Sequence, residues 1–175
     1  MRMKTRTITL FALLTAAALV LGWIDRMIPL PPVPGIRLGL ANITLLYALY
    51  MADRKSAALL MLLKVLLSAL LFGSPLWTML VSLAGGVMSL GAMALTKSIP
   101  RANIILVSTM GALFHVVGQI AVILLARMAP MAFVWGYLPL LGLLSIGTGV
   151  LTGIVAKYAL KALKYYQDAD RKPAK

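Results

Sequence analysis

The side chains able to do chemistry in this chain form a short inventory. There are four acids, Asp25, Asp53, Asp168 and Asp170, and one histidine, His115, with no glutamate and no cysteine. Without cysteine there is no disulfide, no thiolate nucleophile and no thiolate metal site. Metal centres draw on clustered carboxylates, histidines or cysteines, and scattered aspartates beside a single histidine make no cluster. The phosphate-cradling GxxxxGK[ST] loop is absent. No Ser/His/Asp arrangement forms either, because Asp25 is the one acid beside a long apolar run. The sequence therefore predicts no catalysis by this chain alone, no metal and no cofactor.

Binding chemistry is what remains. Five residues stand out as candidate ligand contacts: Arg37, Asn42, Lys64, His115 and Gln119. His115 and Gln119, one helical turn apart, lie deep in an apolar segment, where a polar group is costly unless used. Lys64 lies about 12 Å along its helix from Ser56, at 1.5 Å per residue. Each has a plainer reading. Lys64 either serves a site or snorkels to the interface. His115 either meets a ligand or makes an interhelical hydrogen bond. Arg37, after a stiff proline stretch, either meets an anion entering from outside or anchors the interface. Asp25 with Arg26 reads as an interfacial pair.

The elements that must position these residues are apolar. Of 175 residues, 62% are hydrophobic and 12% charged, against about 45–50% and about 25% in a soluble domain. A soluble chain of this size cannot cover so much apolar surface; lipid can. A bilayer core of about 30 Å needs about 20 helical residues, and the sequence offers six runs, at about 8–28, 38–51, 57–72, 76–95, 103–126 and 131–156. The second is short. The first is too long for the core of a cleavable signal and is expected to be retained. Pro29, Pro31, Pro32 and Pro34 make the stretch before Gly35 an extended loop. A basic, amphipathic end and polar tail occupy 157–175. The predicted architecture is one all-α integral membrane domain, a bundle of about six transmembrane helices.

Charge sets the expected topology. The net charge is +13, but the basic residues cluster between apolar runs rather than on one soluble face, which argues against nucleic acid. With six spans, Arg26, Arg37 and Arg127 fall on one side and Lys64 inside, while every other Lys and Arg falls on the opposite side. The rich side is predicted cytoplasmic, with both termini there, in a bacterial inner membrane. Removing the short second run would scatter the later clusters, so the charges support it where its length does not.

Small residues recur at helical spacing: Ser82, Gly85, Gly86 and Ser89 in the fourth run, Ser108, Gly111, Ala112 and Gly118 in the fifth, and Gly142, Ser145, Gly149 and Gly153 in the sixth. These predict close helix packing. Leu106, Leu113, Val117, Ile120 and Leu124 are expected on the lipid face of the fifth.

The stretch Pro34-Gly35-Ile36-Arg37-Leu38-Gly39-Leu40-Ala41-Asn42-Ile43, after a first helix and before a short second one, resembles the Gx transporter family, also called heptaprenyl diphosphate synthase component I. That family is similar to the substrate-binding S components of energy-coupling factor (ECF) transporters, six-helix proteins that capture a small molecule outside and work with a membrane coupling subunit and two ATPases. The resemblance implies that the alanine pair Ala12 and Ala16 docks a coupling subunit. The enzyme label fits less well: prenyl diphosphate synthases use DDxxD motifs, and no two acids are adjacent here.

Two functions compete. The first is an S-component-like uptake protein for a vitamin or related precursor, its pocket in the outer half under the proline loop. The alternative is a non-catalytic membrane accessory to an isoprenoid or redox enzyme, recruited through the basic end. That end also suits anionic lipid, at about 1 kcal/mol per basic residue. A proton-coupled carrier working alone through His115 would lack an acidic partner.

Overall fold

The computed structural model describes residues 5–28, 37–127 and 129–170. The proline loop, expected to cap the pocket, lies outside the described residues, as do the basic residues of the first four and last five positions. The described chain is all-helical: α1 (Thr5–Met27), α2 (Asn42–Met51), α3 (Arg54–Leu71), α4 (Leu76–Lys97), α5 (Ile104–Leu125) and α6 (Met131–Asp170). Four segments, in α1, α4, α5 and α6, are long and apolar enough to cross a membrane. Large apolar side chains such as Leu13, Leu70, Leu95 and Leu143 face outward, an extent of exposed apolar surface that suits lipid. This is a membrane protein.

The short helix is the centre of the bundle. α2 touches each of the other five helices, while α1 and α6 do not touch one another among the described residues. Leu45, Leu46 and Leu49 of α2 are buried and join Phe11, Leu60, Met61, Val107 and Ala156 in the main core. Ten residues make a rod of about 15 Å, half the depth of a bilayer core.

α2 starts at Asn42, later than its apolar run suggests, because Gly39 takes a positive φ of 81° that helix interiors do not tolerate. Its first amides bond back to Gly39, Leu40 and Ala41 carbonyls instead of to a side-chain cap. At its other end Lys97 donates to the Leu49 carbonyl and lies over the Tyr50 ring, a cation where the helix dipole favours one. Asp53 then caps α3 by accepting the Ser56 amide at 2.6 Å. α3 ends at Gly73, whose φ of 59° supplies the left-handed residue that commonly closes a helix.

Small residues pack α4, α5 and α6 closely. A Cβ on Gly118 would come within 2.6 Å of the Ala84 carbonyl oxygen, and one on Gly149 within 2.6 Å of the Thr109 Cα. Ser108 and Thr152 share a 2.9 Å hydrogen bond across the α5–α6 seam. Two expectations fail. Gly142 has open space around it and contributes no close approach. Ile120 is buried with Val116, Val134 and Leu141, because α6 covers that side of α5. The basic end is helical too: α6 runs to Asp170, with no glycine or proline between Gly153 and Pro173.

Candidate functional site

Half of the bundle is filled by α2; the other half holds a turn and a cavity. The turn, residues 37–41, is held by Asp25 on α1. One carboxylate oxygen accepts the Leu38 amide at 3.1 Å; the other accepts those of Gly39 at 2.7 Å and Leu40 at 3.2 Å. Charge-assisted bonds of this kind are about twice as strong as neutral ones, and they answer the buried backbone donors that a non-helical turn exposes. Gly39 is the turn's point of closest approach. A Cβ there would sit 2.7 Å from Asn42 Nδ2 and 2.9 Å from His115 Cδ2.

From the turn a chain of bonds runs into α5. The Arg37 amide donates to Gln119 Oε1 at 3.2 Å, and Gln119 Nε2 lies 3.2 Å from His115 Nε2. With its oxygen accepting, the Gln119 amide presents N–H to the ring, so His115 Nε2 is the acceptor and Nδ1 carries the proton. Lys64 reaches Asn42 Oδ1 through a long, 3.5 Å contact. The five candidate residues, drawn from three separate stretches of sequence, thus come together.

The cavity beside them takes in about 510 Å³ of space between atoms, the open solvent at its mouth included. Arg26, Arg37 and Lys64 line it, with Asp25 the one acid among its walls. Hydroxyls from Ser68, Ser74, Thr78 and Ser82 supply the neutral polar surface, and Ala18, Gly22 and Ala69 keep one wall small and apolar. Burial lowers the Arg37 guanidinium to about 10, with Arg26 pushing the same way and Asp25 opposing. It stays charged at neutral pH.

Arg26 corrects the sequence reading. It does not serve an interfacial pair with Asp25, whose oxygens are taken by the turn. It donates to Ser68 Oγ at 2.8 Å and Ser74 Oγ at 2.9 Å, and stacks over the Phe72 ring at 4.4 Å. α1 is thereby tied to the α3–α4 connection at the cavity mouth. Ser82, read as a packing residue, is a wall of the cavity instead.

The family model for heptaprenyl diphosphate synthase component I matches residues 14–160. The chain belongs to that family. The match takes in every residue that lines the cavity, from Ala18 to His115. No curated protein and no solved structure matches the chain.

Within this member of the family, Ala12 and Ala16 lie apart from the cavity, exposed on the outer face of α1. Of the sequence candidates, Arg37, Lys64 and His115 line the cavity, Asn42 and Gln119 bond to them without lining it, and the sequence pattern passed over Asp25 and Arg26. Their signal was present: they are the only charged residues in the apolar stretch from Ile8 to Ile36. Asp25 is buried, at 3% exposure, a rare state for an acid unless its bonds are all made.

Proposed function

We propose that this chain is a non-catalytic membrane component of a prenyl diphosphate synthase system, holding a small anionic molecule in the cavity between α1, α3, α4 and α5. The observation that carries the reading is the charge of the walls: three cations line the cavity and its one carboxylate is spent on backbone amides. The family's name points to one part of an enzyme with several components. Diphosphate chemistry of the usual kind needs paired acids to hold magnesium, and no two acids are adjacent in this sequence. The chemistry then belongs to a separate subunit, recruited at the basic end of α6, where Lys157 and Lys161 are exposed. In this reading the chain sits in a bacterial inner membrane with both termini, and that basic end, in the cytoplasm.

The test is capture of the tagged full chain from host membranes with prenyl transferase activity assayed in the eluate. Recovery of a soluble synthase, lost when residues 157–175 are deleted, supports the accessory role. Recovery of a membrane coupling subunit with ATPases, together with uptake of a bound metabolite, would replace it with the S-component reading. One feature favours that second reading: Ala12 and Ala16 present a small-residue surface on the outside of α1, the geometry by which membrane helices associate. Topology is separately accessible, because the chain has no cysteine and single introduced cysteines can be labelled from either side.

A further inference from the structure

The cavity's unmet hydrogen-bonding capacity has a sign. Among the described residues, four buried polar side-chain atoms lack a partner: Arg26 Nε, Asn42 Nδ2, His115 Nδ1 and Ser89 Oγ. Ser89 belongs to the α4–α5 seam. The other three are all donors: Arg26 and His115 belong to residues that line the cavity, and Asn42 lies behind its wall, against Gly39 and Lys64. Arg26 Nε is always protonated. Asn42 turns its oxygen to Lys64, which leaves its NH₂ free. His115 takes the Gln119 N–H on Nε2, so its Nδ1 carries hydrogen and lies against the Gly85 backbone without a well-formed bond to it. His115 and Asn42 are more than nine-tenths buried, at 4% and 6% exposure. A buried unmet donor costs about 1–3 kcal/mol, so unmet donors at the cavity wall call for an acceptor.

Charge points the same way. Arg26, Arg37 and Lys64 against Asp25 leave a surplus of two positive charges around the cavity. Asp25 cannot swing over to neutralise them without releasing three backbone amides. A ligand that satisfies donors only, accepts at several oxygens and brings two negative charges is a phosphate-type oxyanion. Neutral polyols need donors and acceptors alike, and a simple carboxylate brings half the charge.

We infer that the cavity lined by Arg26, Arg37, Lys64 and His115 is a site for a dianionic phosphate or diphosphate head group. This rests on reading the cavity as a ligand site and is independent of which partner subunit the chain serves. The head group can be that of a free metabolite or of a lipid; the recognition chemistry is the same. Lys64 and Arg37 bind it directly. Gln119, through His115, fixes which ring nitrogen donates, and so acts as a positioning residue.

The experiment uses the full chain in phosphatidylcholine nanodiscs, with unfolding followed by tryptophan fluorescence during titration with inorganic pyrophosphate and inorganic phosphate. A parallel set of nanodiscs contains phosphatidic acid. A saturable rise in the unfolding midpoint with either free anion identifies a soluble head group. A rise confined to phosphatidic-acid discs identifies a lipid one. Either result should weaken about tenfold or more in Arg37→Gln and in Lys64→Met, and survive in Lys64→Arg. Lys64→Met should also be more stable than the natural chain without ligand, because it removes a buried cation from a wall with a surplus of positive charge. The inference is overturned if no phosphate shifts the midpoint, if the shift persists in both charge-removing variants, or if Lys64→Met is less stable without ligand. Phosphate binding without synthase recruitment would sink the accessory role alone; recruitment without phosphate binding would sink this inference alone.

Discussion

A single methyl group at Gly39 tests the construction of the site. Gly39→Ala is penalised twice. A residue with a Cβ held at φ of 81° pays roughly 1–2 kcal/mol for left-handed backbone. The methyl group itself would stand 2.7 Å from Asn42 Nδ2 and 2.9 Å from His115 Cδ2. Neither neighbour is a loose surface side chain, since both are buried and both belong to the bond network around the cavity. Forcing an extra carbon into such packing costs about 1–3 kcal/mol. The sum is about 2–5 kcal/mol. Gly73→Ala is the control: φ is 59° and nothing lies within 4 Å of the added carbon, so it meets only the backbone cost. Both variants would be titrated with SDS in mixed micelles, with unfolding followed through Trp23, Trp77 and Trp135. Gly39→Ala should exceed Gly73→Ala by about 1–3 kcal/mol, the packing share alone. Equal losses in the two variants would refute the packing of the turn on Asn42 and His115, and with it the assembly of the cavity.

Three further outcomes follow from the same geometry. Asp25→Asn keeps one oxygen for the turn and sets an NH₂ against a backbone N–H, a loss of about 1–3 kcal/mol; amide exchange at Leu38, Gly39 and Leu40 should accelerate together, and unchanged protection would show that Asp25 does not hold the turn. Gly118→Ala should destabilise by about 1–3 kcal/mol because its carbon meets the Ala84 backbone, whereas Gly142→Ala, in open space, should be neutral or stabilising by up to about 1 kcal/mol; the SDS titration compares the pair. Ala12→Leu with Ala16→Leu, on an exposed face, should change stability by less than about 0.5 kcal/mol yet abolish capture of a membrane coupling subunit if the uptake reading holds; capture undiminished by the bulky residues would remove α1 as its docking face.

The helices were legible because lipid enforces a simple rule: apolar runs of sufficient length, with breakers and charges between them. Polar residues inside those runs were legible as a group for the same reason, and Arg37, Asn42, Lys64, His115 and Gln119 do converge. What the sequence hid depends on contacts between distant positions. The start of α2 is set by Asp25, 13–15 residues away, so a local reading extended the helix to Leu38. Arg26 finds its hydroxyl partners 42 and 48 residues on, so adjacency alone suggested Asp25 instead. Gly142 and Ile120 were misassigned because periodicity gives the faces of one helix, and only the neighbouring helix decides which face it covers.

The shortness of α2 ties fold to function. A second helix of full length would carry its apolar side chains through the whole bundle and leave no room among the other helices. By stopping at Asn42, α2 hands half of the interior to a turn whose backbone donors need an acid, and to the cavity beneath Arg26. That exchange costs stability, since buried cations in excess of their counter-charge are generally less favourable than apolar residues of similar shape. A purely structural plug would do better with methionine at 64 and glutamine at 37. The cations make physical sense as half of an interaction whose other half is a bound anion: the free chain carries the cost of desolvating them, and the ligand returns it on binding. The midpoint of Lys64→Met without and with pyrophosphate measures both halves, and the two should move in opposite directions relative to the natural chain.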